Sequence, residues 1–214
     1  PLSIGTALAC IIVTSSSAAY SHYKKSSLSV KRFLQLSAGI LIGAGFGSSF
    51  VISVDGEILK TMLAIFVTIM SLRLFINIQM PRVQSEPHFL YFNVSGAVIG
   101  YLSSIFGIGG GIFSVPLLKM SGMEMKKAVG TGAACAFPIA LLSTASYLFL
   151  GWSNSDLPEY AIGYVYLPGL IGITIFSYFF AKIGAQLAHK LNDKFLQFIF
   201  AAHLVPVAIY WFLR

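Results

Sequence analysis

Long blocks of apolar residues, separated by short polar linkers, run through the whole sequence. A transmembrane helix needs about 20 mostly apolar residues to cross the hydrocarbon core of a bilayer. By that measure the blocks predict transmembrane helices over residues 2–23, 33–54, 58–78, 89–106, 128–150, 163–187 and 194–213, with a short additional helix over 110–120. Because no linker is long enough to form a soluble domain, residues 1–214 are expected to form a single transmembrane domain.

A glycine-rich stretch interrupts the apolar block between residues 89 and 120. It reads Gly107-Ile-Gly-Gly-Gly111 and is followed by Val115-Pro116. Each glycine disfavours a helix by roughly 1 kcal/mol relative to alanine. Broken backbone inside a bilayer is tolerated only where protein or a water-filled cavity satisfies the freed N–H and C=O groups. Since transporters place their substrate sites at such breaks, this stretch is the first candidate for a substrate site.

The basic residues indicate how this block enters the membrane. Only 10% of the residues are charged, and the 14 Lys and Arg against 7 Asp and Glu lie in short loops, which indicates membrane topology rather than nucleic-acid binding. If residues 89–120 crossed the membrane once, the basic residues would divide seven against seven. If the block turned back at the glycines, twelve would lie on one side and only Lys60 and Arg214 on the other. The positive-inside rule therefore predicts a re-entrant hairpin.

An internal repeat relates the two halves of the chain. The segment Gly5-Thr-Ala-Leu-Ala-Cys10 matches Gly130-Thr-Gly-Ala-Ala-Cys135 at an offset of 125 residues, and a later match around Val54 and Leu191 has an offset of 137. With a re-entrant hairpin between them, the two copies run in opposite directions, as in secondary transporters whose substrate site lies near the midplane.

The predicted fold is therefore an all-α polytopic membrane protein with inverted-topology repeats and a broken, re-entrant helical hairpin. Residues 1–80 are expected to form the first repeat and residues 88–214 the second. The counterpart of the Gly107 stretch would precede Pro1, so the first repeat is expected to be N-terminally incomplete.

These motifs resemble those of the TauE/SafE family of sulfite and organosulfonate exporters. The resemblance rests on the Gly107–Gly111 stretch with Val115-Pro116, on Ala128-Val-Gly-Thr131, and on the later Gly169 and Gly184-Ala185. It implies a secondary transporter that moves small sulfur-containing anions across the bacterial inner membrane, as an exporter. It also implies that the partners are the anion and membrane lipid, without a cofactor or nucleic acid.

The glycines themselves offer a way to bind such an anion. If a helix starts just after the break, Gly109, Gly110 and Gly111 present N–H groups that no side chain covers, aided by the positive end of the helix dipole. Ser114 adds a hydroxyl from the first turn. The alternative interpretation is that these glycines only allow close packing between helices.

Other polar residues are weaker candidates for the same site. We expect Thr6 and Thr131 to face one another across the midplane and contribute hydroxyls, although each could instead bond a carbonyl one helical turn earlier. Asn93 lies on the helix that leads into the glycines. His203 is a candidate for proton coupling, and the alternative is a neutral histidine bonded to a carbonyl freed by Pro206. The coupling ion is expected to be a proton or sodium.

Two other function classes compete with a transporter. An intramembrane enzyme would need an activated nucleophile such as Ser143, but the sequence has no Gly-x-Ser-x-Gly or comparable context. We therefore do not expect an enzyme. A passive channel or an importer of the same fold remains open at this stage, because direction is set by coupling ions rather than by the scaffold.

Overall fold

The computed structural model describes residues 1–75 and 88–192, and the single residues 195, 198, 199, 202 and 206. Within them the elements are α1 (Leu2–Lys24), α2 (Val30–Ile52), α3 (Gly56–Phe75), α4 (Phe89–Phe106), α5 (Gly111–Met120), α6 (Met125–Leu150), β1 (Ala161–Ile162), β2 (Val165–Tyr166) and α7 (Leu167–Lys190). In this part of the chain α1, α2, α4, α6 and α7 are long and apolar enough to cross a membrane. The chain is an all-α polytopic membrane protein, as predicted. Most of the expected helix over 194–213, and residues 76–78 of the expected helix over 58–78, lie outside the described residues.

Helices α1 and α6 cross in an antiparallel pair at the centre of the fold. Gly5, near the start of α1, lies against Tyr147 near the end of α6, and Gly130, near the start of α6, lies against His22 near the end of α1. At both glycines an added Cβ would overlap with a backbone carbonyl oxygen of the neighbouring loop. Glycine is therefore required for this close approach at both ends of the pair.

Helix α4 lies parallel to α2 at a distance that only glycine allows. A Cβ added at Gly39 or Gly43 would overlap with the carbonyl oxygens of Asn93 or Ala97, and one added at Gly100 would overlap with that of Ile40. Small residues on both helices are the usual means of close helix packing in membranes, where the hydrophobic effect does not drive association. This packing sets the path of α4 into the bilayer.

The glycine-rich stretch turns the chain back, which confirms the predicted hairpin. Gly110, just before α5, lies against Ile139, whereas Ser114, one turn into α5, lies against Gly132. Helix α5 therefore runs antiparallel to α6 and ends on the side of the membrane where α6 begins. Since α4 starts beside the first half of α2, both arms of the hairpin open to the side that holds the α1–α2 loop.

This topology places the charges on one side. All lysines and arginines with described side chains, except Lys60, lie at or near the helix ends on the side that holds the α1–α2 loop. This lysine-rich side is cytoplasmic by the positive-inside rule.

Two equivalent hydrogen bonds reflect the internal repeat. The Thr6 hydroxyl accepts the backbone N–H of Tyr166 at 2.9 Å, and the Thr131 hydroxyl accepts that of Ser29 at 2.9 Å. Tyr166 and Ser29 are the residues that precede α7 and α2. The donors and the acceptors are related by offsets of 137 and 125, the same offsets that the sequence matches show. The bond of Thr6 thus joins α1 to α7 at one end of the α1–α6 pair. The bond of Thr131 joins α6 to α2 at the other end.

The loop between α6 and α7 differs from expectation. The sequence suggested a linker up to Ala161 and a helix from 163, but residues 161–166 form a two-stranded hairpin and α7 begins at Leu167. Gly163 forms the turn with φ +51°. The hairpin leaves the Tyr166 N–H free to bond Thr6. This long-range contact has no local sequence signal.

Candidate functional site

The chain reverses direction at two glycines with left-handed backbone. Gly107 ends α4 with φ +67°, and Gly110 precedes α5 with φ +70°. Only glycine adopts this conformation without a steric cost of roughly 1–2 kcal/mol. The carbonyl of Ser103 accepts the N–H groups of both Gly107 and Ile108, and this closes the end of α4. A new helix then starts at Gly111.

The start of α5 lies at mid-depth in the fold. A Cβ added at Gly109 would contact Ile11, in the middle of α1, and Ala136, in the middle of α6. Helices α1 and α6 are each long enough to cross the bilayer. The glycine stretch therefore lies close to the midplane, the depth at which broken helices of transporters bind their substrates.

Backbone N–H groups are unpaired at this point. The first described hydrogen bonds of α5 are those from Phe113 and Ser114 to the carbonyl of Gly110. In the described part of the chain, no acceptor is found for the N–H groups of Gly109, Gly110, Gly111 and Ile112. Unpaired N–H groups and the positive end of the helix dipole together form an anion-binding arrangement.

Two buried hydroxyls flank the same point and lack hydrogen-bond partners. Ser103 and Ser114 are both 0% exposed, and neither Oγ atom has a partner among the described residues. Ser103 Oγ lies 3.3 Å from the position that a Cβ at Gly110 would occupy. Ser114 Oγ lies 2.8 Å from the corresponding position at Gly132 on α6. A buried hydroxyl without a partner loses free energy, and a bound anion would supply the missing acceptor.

Helix α6 carries a third hydroxyl of this kind. Ser143 is 0% exposed and unpartnered within the described structure. It lies one turn from Ile139, which contacts Gly110, and one turn from Tyr147, whose hydroxyl donates to the carbonyl of Ser104. Residues four apart share a helix face, so Ser143 lies on the α6 face that packs against the hairpin. The sequence did not point to Ser103, and it offered Ser143 only as the nucleophile of a competing enzyme function, because serines in apolar helices carry no pattern that tells which face is buried.

The surroundings of Gly110 and Gly111 differ. A Cβ at Gly110 would overlap with Ile139, but a Cβ at Gly111 would meet no atom of the described residues within 4 Å. The contacting side chains around the break are otherwise apolar, including Ile11 and Ile99. The arrangement can bind a small anion through neutral donors in an apolar setting, with access from the side of Gly111.

Two larger grooves of the described structure lie elsewhere. The α1–α7 groove has a volume of about 580 Å³ and runs between α1, α6, the β-hairpin and α7. The α1–α2 groove has a volume of about 390 Å³ and runs between α1, α2 and α6. The hairpin of α4 and α5 lines neither of them.

The structure does not bring Thr6 and Thr131 together, so this expectation is wrong. Thr131 follows Gly130, which packs against His22 more than four helical turns beyond Thr6, and the two threonines are separated by roughly 20 Å along α1. Their hydroxyls also have partners, because Thr6 donates to the carbonyl of Leu2 at 2.8 Å and both accept backbone N–H groups. At Thr6 the alternative interpretation is confirmed, because its hydroxyl donates to a carbonyl one turn earlier.

Asn93 also lies away from the break. Its side chain donates to the carbonyl of Phe89 at 3.1 Å, within the first turns of α4. At 1.5 Å per residue, an uninterrupted helix places it about 20 Å from Gly107. Asn93 is therefore not part of the arrangement around α5. His203 lies outside the described residues.

Comparison with known proteins agrees with this architecture. The sulfite exporter TauE/SafE family matches residues 1–211. A probable membrane transporter protein of Haemophilus influenzae is 33% identical over 212 residues, which cover 99% of this chain and 80% of the relative. A probable membrane transporter protein of Methanocaldococcus jannaschii is 25% identical over 98% of this chain and 78% of its own length.

A more distant relative carries a more specific name. The sulfite exporter TauE/SafE family protein 5 of Arabidopsis thaliana is 33% identical over 96 residues, or 44% of this chain and 21% of the relative. No solved structure matches the chain. The match across nearly the whole sequence, together with the transmembrane fold, shows that this chain belongs to the TauE/SafE family of sulfite exporters.

Proposed function

We propose that this protein moves small sulfur-containing anions, sulfite or organosulfonates, out of the cell across the bacterial inner membrane. The observation that carries the proposal is the mid-depth start of α5, where unpaired N–H groups meet the partnerless hydroxyls of Ser103 and Ser114. An anion that leaves water needs replacement donors, and neutral donors bind it weakly enough for release. The name of the Arabidopsis relative supports sulfite as a substrate.

Alternating access around this site is the proposed mechanism. Antiparallel α1 and α6, the equivalent bonds of Thr6 and Thr131, and the matched offsets support two halves of opposite orientation. Halves of this kind expose a central site to each side of the membrane in turn. The coupling ion is proposed to be a proton or sodium, with His203 as the proton-coupling candidate.

The test is transport by the full-length protein in proteoliposomes. Labelled sulfite, sulfoacetate and taurine are loaded, and counterflow against an excess of unlabelled anion is measured. A transporter gives transient accumulation of label above equilibrium, whereas a passive channel gives only equilibration. The absence of any anion flux would contradict the proposal.

Two adjacent serines provide a matched pair for the site. Ser103→Ala removes a hydroxyl without a described partner, whereas Ser104→Ala removes one that already donates to the carbonyl of Tyr101. A hydrogen bond to a charged group contributes about 1.5–3 kcal/mol, so Ser103→Ala should raise the apparent KM by at least roughly tenfold. Its thermal stability should not fall, because the hydroxyl has no partner to lose. Equal effects of both substitutions on KM would contradict the assignment of Ser103.

A further inference from the structure

The two grooves beside α1 have equivalent walls. Several pairs of lining residues are related by the same offsets of 125 and 137 that relate the halves, among them Ala9 with Ala134, Val165 with Leu28, and Leu170 with Phe33. The wall of the α1–α2 groove is therefore built from positions equivalent to those of the α1–α7 groove. Both walls are apolar, and both grooves lie at transmembrane helices, where lipid chains are the available occupants.

The rims of the two grooves differ in charge. The α1–α2 groove reaches the lysine-rich side, where Lys24 and Lys25 are exposed at the end of α1. Lys24 Nζ lies 4.7 Å from the ring centroid of Tyr20, and Tyr20 and Tyr23 line the groove. Tyrosines at this level are typical of the membrane–water interface.

Backbone polarity at the same rim also favours an anion. Helix α2 begins at Val30, which lines the groove, and its preceding residue Ser29 makes no side-chain cap. The positive end of the α2 dipole therefore points to the rim. The tyrosines, the lysines and the start of α2 thus surround one end of an apolar groove.

The equivalent rim of the α1–α7 groove lacks this basic character. Helix α7 also begins there, at Leu167, but the adjoining loop carries the acidic residues Asp156 and Glu159. Trp152 is exposed just after α6, where the other rim has lysines. The two grooves therefore have equivalent wall positions but rims of opposite charge.

We infer that the α1–α2 groove binds an anionic phospholipid from the cytoplasmic leaflet. Its acyl chain lies along the apolar wall of Ala134 and Phe33, and its phosphate headgroup contacts Lys24 and Lys25 beside the start of α2. Basic pockets between transmembrane helices recognise anionic headgroups in this way. The α1–α7 groove accepts acyl chains without selecting a negative headgroup. This inference does not depend on the identity of the transported anion.

The test measures lipid retention by the full-length protein. The protein is reconstituted in nanodiscs that contain phosphatidylcholine with a minor fraction of phosphatidylglycerol, and co-purified lipids are counted by native mass spectrometry. Wild type should retain phosphatidylglycerol above its bulk fraction. Lys24→Gln/Lys25→Gln should lower this preference by roughly fivefold for each lysine removed. The charge control Lys182→Gln/Lys190→Gln, on the same side of the membrane, should keep it.

The groove itself is tested by an equivalent pair of substitutions. Ala134→Leu fills part of the α1–α2 groove and should lower phosphatidylglycerol retention, whereas Ala9→Leu fills the equivalent position of the α1–α7 groove and should not. Both alanines are 5% exposed, so the two variants have matched packing costs. An unchanged preference in Lys24→Gln/Lys25→Gln, or equal losses in the two charge variants, would overturn the inference.

Discussion

Gly110 and Gly111 are neighbours with different surroundings, and this difference separates two roles. Gly110 has a left-handed backbone and lies against Ile139, so the fold requires glycine at this position. Gly111 opens the first turn of α5, and a Cβ there would meet no described atom within 4 Å. We infer that Gly110 shapes the turn and that Gly111 keeps the approach to the N–H groups clear.

Substitutions at these two positions should therefore give different results. Gly110→Ala should lower both the melting temperature and transport, because a Cβ there is strained and overlaps with Ile139. Gly111→Leu should keep the melting temperature near that of wild type. It should lower anion counterflow by roughly tenfold or more, because the leucine side chain covers N–H groups whose hydrogen bonds would contribute about 1.5–3 kcal/mol to binding of the charged substrate. Gly172→Leu on α7, where a Cβ also meets open space, is the control. Normal counterflow by Gly111→Leu would show that the substrate does not approach from this side.

At the scale of elements, threonine hydroxyls hold the two halves together. Thr6 on α1 accepts the N–H before α7, and Thr131 on α6 accepts the N–H before α2. Each bond joins a helix of the first 75 residues to a helix after residue 88. Helices α1, α2, α6 and α7 are thus tied at both ends of the α1–α6 pair. The α4–α5 hairpin is attached to this frame by packing and by the hydrogen bond from the Tyr147 hydroxyl to the carbonyl of Ser104.

Removal of either hydroxyl should cost a similar amount of stability. Thr6→Val and Thr131→Val preserve side-chain shape but leave a backbone N–H unpaired, which should lower the free energy of unfolding by about 1–3 kcal/mol in each case. Unfolding of the detergent-purified protein measures this loss, and Thr6→Ser and Thr131→Ser should restore most of it. A rise in the apparent KM without a loss of stability would instead indicate direct contact with the substrate.

At the scale of the whole molecule, the hairpin decides which loops share a side. We expect His88→Cys and Lys126→Cys, which flank the hairpin, to react from the cytoplasm, and Ser153→Cys to react from outside. The native Cys10 and Cys135 are buried and are replaced by alanine in this background. A membrane-impermeant maleimide should label only Ser153→Cys in intact cells and all three after permeabilisation. Labelling of His88→Cys and Lys126→Cys from different sides would contradict the re-entrant hairpin.

Alternating access further requires that the hairpin and the frame move relative to one another. Ser114 and Gly132 face each other across α5 and α6 at a separation compatible with a disulfide. The reduced Ser114→Cys/Gly132→Cys variant lacks the Ser114 hydroxyl of the proposed site, so its counterflow should be below that of wild type. Oxidation should abolish this remaining counterflow, and reduction should restore it. The reduced variant serves as the control. Full transport by the oxidised protein would show that α5 does not move on α6.

The sequence by itself determined five of the transmembrane helices, the position of the break, the shared side of the lysine-rich loops and the family. These properties follow from local features of the sequence. The length of an apolar block determines whether it spans the membrane, clustered glycines break a helix, and basic loops indicate the side of the membrane. The offsets of the internal repeat were also readable, since they need only a comparison of the chain with itself.

Only the tertiary structure decided which polar groups meet at the break. Ser103 and Ser143 lie at the hairpin, whereas Asn93 and the two threonines lie away from it, although all are small polar residues in apolar helices. Their positions depend on how glycine faces bring α2 against α4 and how α1 crosses α6. Such crossings set the depth and rotation of each helix through contacts between distant residues, and no local pattern contains that information.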